Sequence, residues 1–105
     1  MRVPGALELP VASKKLAEAG YDAVVAIGTV VKGETDHYDI VVRESSQGIT
    51  RVSLDTGVPV ANAILAVRDY EHAVERSASG DANKGVEAAD AAIMMVTALR
   101  ELEEP

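Results

Sequence analysis

The chain has 105 residues, 48% of them hydrophobic, which predicts one folded domain rather than two domains or a disordered segment. Ten basic residues against seventeen acidic ones give a net charge of −7, and only three tyrosines supply aromatic surface, so nucleic acid is not the expected partner. No cysteine is present, which excludes disulfides and thiolate chemistry. The sequence has no run long enough to span a membrane and no signal-peptide pattern, and it predicts a cytoplasmic protein.

The amino-terminal segment from Val3 to Pro10 contains two prolines around a glycine. This pattern predicts the end of a strand that turns into a short helix, because proline is accepted in a first helical turn. Gly20 is the expected end of that helix, since glycine is favoured just past a helix carboxyl terminus.

Residues 23–39 are the stretch on which the fold is expected to depend. Ala23 to Val31 is almost continuously apolar and β-branched, which is typical of a parallel strand covered on both faces. A polar loop follows and ends in an amphipathic helix expected from about Asp36 to Leu54.

That loop puts a glycine, a hydroxyl group, a carboxylate and an imidazole at the carboxyl end of a parallel strand, where open α/β sheets bind ligands. The positive end of the following helix dipole favours a phosphate there. A simpler interpretation stays open, in which Gly33 serves only the turn, Thr35 or Asp36 caps the helix and His37 is a surface residue.

A second buried strand is predicted for residues 58–65, where Asn62 is the polar exception and needs a partner in the backbone or in a ligand. A short helix over residues 69–78 is expected to turn Tyr70, Ala73 and Val74 inward.

Asn83 is predicted to cap a long helix from Lys84 to about Glu103, with an apolar series at helical spacing. Arg76 suits the carboxyl end of its helix, whereas Lys84 opposes the dipole of the helix that it begins, and this mismatch indicates an anion.

Five blocks, in order and with compatible spacing, resemble the lumazine synthase family: Val3 to Pro10, Ala26 to Asp39, Asp55 to Val60, Glu75 with Arg76, and Asn83 to Ala89. The resemblance extends over essentially the whole chain. It implies a flavodoxin-like three-layer α/β sandwich with a parallel sheet, in which residues 1–105 form a single domain equivalent to the carboxy-terminal two-thirds of the family fold.

The resemblance also implies the penultimate step of riboflavin biosynthesis. In that step 5-amino-6-(D-ribitylamino)uracil condenses with 3,4-dihydroxy-2-butanone 4-phosphate to 6,7-dimethyl-8-ribityllumazine, without cofactor or metal. The family implies a homopentamer, or a multiple of pentamers, whose sites are shared between neighbouring subunits.

By the same resemblance each candidate site residue has a role. His37 is the catalytic proton shuttle, and the remaining positions bind phosphate or the ribityl-pyrimidine. The implied phosphate-binding residues are Gly33, Glu34, Thr35, Arg76 and Lys84. The implied substrate-binding residues are Ala6, Leu7, Glu8, Thr29, Val30, Val31 and Asn62.

The sequence departs from the family pattern in two places. Asn62 stands where many members have an aromatic residue, and only Met1 and Arg2 precede the first matching block, where the family has a first strand and helix. We therefore expect an amino-terminally truncated chain with one bare edge on the central strand. A non-catalytic assembly module or truncated remnant is the alternative to the enzyme, and an archaeal-type riboflavin synthase is a third, weaker one.

Overall fold

The fold is a two-stranded parallel sheet with helices on both faces, as seen in a computed structural model that describes residues 1–33, 36–78 and 83–104. The elements in chain order are a 3-10 turn at Ala6–Glu8, helix α1 at Leu9–Glu18, strand β1 at Val24–Val31, helix α2 at His37–Thr56, strand β2 at Val60–Val67, helix α3 at Tyr70–Ser77 and helix α4 at Lys84–Glu103. This confirms the predicted α/β class with a parallel sheet.

The two strands pair in register from Val24 opposite Val60 to Val31 opposite Val67. Side chains alternate between the faces of a strand, so one face of the sheet carries the even-numbered residues of both strands. The buried core cluster joins Ala26 and Ile64 of that face to residues of α1 and α2, namely Leu9 and Ile49. Helices α3 and α4 contact β2 and cover its other face.

Helix α2 follows the predicted periodicity and buries Val41, Ser45, Ile49 and Val52. Ser45 is fully buried, and its hydroxyl donates a hydrogen bond of 2.6 Å to the carbonyl of Val41. The helix ends at Gly57, whose φ of 74° is left-handed and therefore favours glycine.

The amino-terminal segment differs from its prediction. Ala6 to Glu8 form a 3-10 turn that runs directly into α1, with no strand before it among residues 1–33. Pro10 is the second residue of α1 and fits there because the first turn of a helix leaves its N–H groups unbonded. The short helix was therefore predicted correctly, but the strand end was not.

The predicted inward faces of α3 and α4 were partly wrong. Ala73 is buried as expected, but Tyr70 is 71% exposed and Val74 is 50% exposed. On α4 the buried residues are Ala88 and Ala92. Alanine faces allow both helices to approach the sheet closely, which leaves their larger apolar side chains outside.

Strand β1 is covered more fully on one face than on the other, where α3 and α4 contact it. Val24 and Ala26 are buried, whereas Ile27 is 67% exposed. The prediction of a strand covered on both faces is therefore correct in part, because helices contact both faces of β1 but leave Ile27 exposed. Within the described ranges, no helix is long and apolar enough to cross a membrane.

Candidate functional site

Two of the predicted phosphate ligands lie on one cavity. Arg76, in the last turn of α3, and Lys84, the first residue of α4, line a cavity of about 420 Å³. Three consecutive β2 residues, Ile64 to Ala66, complete the wall with Glu87. Two cations beside strand backbone form a suitable environment for an anion, and the fork of an arginine matches a phosphate oxygen pair.

Glu87 balances one of these cations. Its Oε1 lies 3.5 Å from the Nζ of Lys84, one helical turn away, and both side chains are accessible to solvent. Lys84 therefore has a partner within its own helix, so its mismatch with the helix dipole does not by itself indicate an anion. An accessible pair of this kind contributes little to stability, so Lys84 can exchange the carboxylate for an anionic ligand.

Sequence reasoning did not select Glu87, although a carboxylate three residues after a first-turn lysine is a recognisable signal. The cavity is the observation that brings it into the candidate site.

The candidate site has a second part, away from the cavity of Arg76 and Lys84. It contains Gly33 and His37, which follow the carboxyl end of β1. His37 is the first residue of α2 and is exposed, and a Cβ at Gly33 would meet nothing within 4 Å. Asp36 is the N-cap of α2 but makes no side-chain capping hydrogen bond. Open space and a helix amino terminus thus coincide there. The predicted ligands Glu34 and Thr35 lie outside the described residues.

The register of the sheet connects these two parts. Thr29 pairs with Leu65 and Val30 pairs with Ala66, so the predicted ring-binding edge of β1 is one strand away from the cavity wall. Neighbouring strands are about 4.8 Å apart. Thr29 and Val31 are exposed, which leaves their face of the sheet open.

The predicted ribityl-binding residues form the 3-10 turn. Ala6 lies against the middle of β1, since a Cβ on Gly28 would be 3.8 Å from the Cβ of Ala6. Leu7 is 43% exposed, and Glu8 Oε2 lies 3.2 Å from the position of a Cβ on Gly5. Ala6 therefore lies beside the middle of β1, and none of the three residues lines the cavity of Arg76 and Lys84.

Asn62 makes its hydrogen bonds within the fold. Its Oδ1 accepts from the backbone N–H of Ile64 at 2.8 Å, and its Nδ2 donates to the hydroxyl of Ser46 at 3.3 Å. It pairs with Ala26, in the first half of the strand, and so lies away from His37 in the same chain. Of the two partners that the sequence left open, the structure shows the backbone.

No group of three or more histidine, aspartate or glutamate side chains converges as a metal site in the described part of the chain.

This is an α/β protein with a parallel sheet, and charged residues near the carboxyl ends of parallel strands are typical of α/β proteins that bind a small molecule. The sequence model of the 6,7-dimethyl-8-ribityllumazine synthase family matches residues 1–100. A protein of Thermococcus gammatolerans named 6,7-dimethyl-8-ribityllumazine synthase is 48% identical over 105 residues, which cover 99% of this chain and 68% of that protein. The chain therefore belongs to the lumazine synthase family, an enzyme family of riboflavin biosynthesis.

Proposed function

We propose that the chain is a transferase that condenses 5-amino-6-(D-ribitylamino)uracil with 3,4-dihydroxy-2-butanone 4-phosphate to give 6,7-dimethyl-8-ribityllumazine, phosphate and two molecules of water. Family membership over residues 1–100 supports this assignment. The structural observation that carries it is the convergence of Arg76 and Lys84 on one cavity beside β2. A reaction that binds and then releases phosphate needs such an anion site.

The side chains of Arg76 and Lys84 are proposed to act both in substrate binding and in phosphate elimination. They hold the phosphate ester in the ground state, and they stabilise the negative charge that grows on the phosphate as its C–O bond breaks. Gly33, Glu34 and Thr35 are proposed to contribute backbone N–H groups and a hydroxyl at the start of α2.

His37 is proposed to move protons during imine formation, phosphate elimination and ring closure. An imidazole gains and loses a proton near neutral pH, which suits a sequence of several proton transfers. Ala6, Leu7 and Glu8 are proposed to hold the ribityl-pyrimidine with the β1 edge from Thr29 to Val31, and Asn62 is proposed to line a neighbouring subunit's pocket. No cofactor or metal is expected, so treatment with EDTA should leave the rate unchanged.

We further propose that the site is shared between subunits of a cytoplasmic homopentamer or a multiple of it. Among the described residues, the cavity of Arg76 and Lys84 includes neither Gly33 nor His37. A neighbouring copy that brings its His37 to this cavity would complete the site. The exposed apolar side chains of α3 and α4 offer surface for such contacts.

The two histidines of the chain allow a matched test. His37→Ala should lower kcat on the order of a hundredfold, because a positioned acid–base group contributes at least that much. His72→Ala should leave it unchanged, because His72 is an exposed residue of α3 outside the cavity. The measurement is lumazine fluorescence after both substrates are mixed.

Equal rates for the two variants would remove His37 from the mechanism. An unmodified chain that folds and assembles but forms no product would contradict the proposed reaction and favour the alternative, a non-catalytic assembly module.

A further inference from the structure

Two further cations lie side by side at the carboxyl edge of the sheet. The paired residues end with Val31 opposite Val67, and the N–H of Lys32 still donates to the carbonyl of Val67 at 2.9 Å. Lys32 and Arg68 are therefore the first residues beyond the ends of neighbouring strands, whose backbones lie about 4.8 Å apart. Both residues are exposed and both have long side chains, so their charged groups can reach the same point beyond the sheet.

Within the described ranges, neither of these two residues has an ion-pair partner. The ion pairs found there involve four other cations, namely Arg43, Arg51, Lys84 and Arg100. Two like charges on neighbouring strand ends repel each other, so their proximity does not help the chain to fold. The arrangement becomes favourable when an anion lies beside both charges.

The Lys32–Arg68 pair lies between the two parts of the candidate site. Arg68 is two residues beyond Ala66 on the cavity wall, which is about 7 Å along a strand. Lys32 directly precedes Gly33 in the other part of the site. Both separations are shorter than the distance of about 8 Å over which salt screens charges at physiological ionic strength.

Carboxylates follow the same two strand ends. Asp36 is the N-cap of α2 and Asp69 is the N-cap of α3, and the whole chain has a net charge of −7. An anion that approaches this edge is therefore repelled unless nearby cations offset these charges.

We propose that Lys32 and Arg68 raise the affinity of the site for the phosphate group of the phosphorylated substrate by long-range attraction, without taking part in the bond-forming steps. This inference rests on the proposed function, because it takes the anion to be a phosphate monoester. The pair offsets the carboxylates at the strand ends, and the two cations of the cavity then bind the phosphate directly.

Binding of inorganic phosphate to the full chain, followed by phosphorus NMR at about pH 8, tests the inference without turnover. In the double variant Lys32→Gln with Arg68→Gln, the Kd for phosphate should rise about fivefold at roughly 0.1 M ionic strength. That factor is expected for two unit charges that act on a dianion through water over about 8 Å. The difference should nearly vanish at about 1 M ionic strength, where charges are screened within about 3 Å.

Lys14 and Lys15 provide a matched control. Both are exposed near the end of α1, which leads to the start of β1 and so to the opposite edge of the sheet. Lys14→Gln with Lys15→Gln removes the same two charges and should leave the Kd for phosphate almost unchanged, because salt screens charges at that distance.

Steady-state kinetics separate this role from a structural one. The Lys32 and Arg68 double variant should raise KM for the phosphorylated substrate by a similar factor of about five. It should leave kcat and the KM for the uncharged ribitylaminouracil unchanged, because only the phosphorylated substrate responds to these charges.

Three results would overturn the inference. These are equal phosphate affinities for the unmodified chain and the Lys32 and Arg68 variant, an equal loss of affinity in the control variant, and a loss that persists at high ionic strength. In each case the proposed function stands if the unmodified chain forms lumazine. An unmodified chain that neither binds phosphate nor forms product would contradict both.

Discussion

Gly48 lies where α2 packs against Pro10 of α1. A Cβ at this position would be 2.5 Å from Cγ of Pro10 and 2.9 Å from its Cβ. The proline ring is rigid and begins a helix, so it cannot rotate away as a flexible side chain would. The glycine thus permits a helix contact, although its own backbone conformation is ordinary.

Gly48→Ala should therefore destabilise the fold by about 1 kcal/mol, because the strain of overpacking exceeds the gain in helix propensity. In a Pro10→Gly background, which removes both Cγ and Cβ of residue 10, the same change should stabilise the protein, since both obstructing atoms are gone and only the propensity gain is left. Chemical denaturation of the four proteins gives both values. A Gly48→Ala change that is equally destabilising in both backgrounds would show that Pro10 is not the obstacle.

Local signals in the sequence identified some residues and missed others. Asn83 was predicted to cap α4, and its Oδ1 accepts from Val86 N at 3.0 Å. Capping depends on residues within one turn, which a sequence displays directly. The cavity position of Glu87 and the contact of Gly48 with Pro10 depend on how separate elements meet, and no local pattern contains that information.

At the scale of elements, the periodicity of apolar residues predicted the positions of both α2 and α4, but it predicted the buried face of α2 only. Its apolar positions form one stripe among polar residues, and the buried set from Val41 to Val52 follows it. On α4, apolar side chains occur on several sides, so Ile93 at 66% exposed and buried Ala92 were not distinguishable by pattern. The predicted second strand, residues 58–65, lies within two residues of the observed strand β2, Val60–Val67.

The apolar stripe on α2 predicts that alanine substitutions on its buried and exposed sides differ in their cost to stability. Ile49 is 1% exposed in the core cluster, whereas Leu54 is 79% exposed. Ile49→Ala should cost about 2–5 kcal/mol, because it opens a cavity between α2 and the sheet. Leu54→Ala should stay within about 0.5 kcal/mol. The free energies of unfolding check this, and comparable losses for the two variants would mean that the exposed side of α2 is covered in solution.

For the whole molecule, the most informative feature is apolar surface on the outer helices. Large exposed side chains on α4 include Val86, Ile93, Met94, Met95 and Leu102. Exposed apolar surface of this extent is typical of an interface. The candidate site, with its cations on one cavity and His37 elsewhere, depends on the same contacts in the proposed assembly.

Ile93→Lys should therefore reduce the mass of the assembly in analytical ultracentrifugation, because it places a charge among apolar contacts. Thr50→Lys is the control, since it adds the same charge at an exposed position of α2, on the other face of the sheet. Unchanged helical circular dichroism in both variants would separate loss of assembly from loss of fold. An unmodified chain that sediments as a monomer at all concentrations would contradict the proposed homo-oligomer.

The side chains bonded along the outer edge of β2 have a consequence for aggregation. Fibrils grow by repeated strand addition, and each added unit must present one free edge to its predecessor and another to its successor. In this chain Ser53 and Asn62 satisfy the outward N–H groups of Val60 and Ile64. The outer edge of β2 therefore offers a further strand fewer free N–H groups, which makes it a poorer template for strand addition.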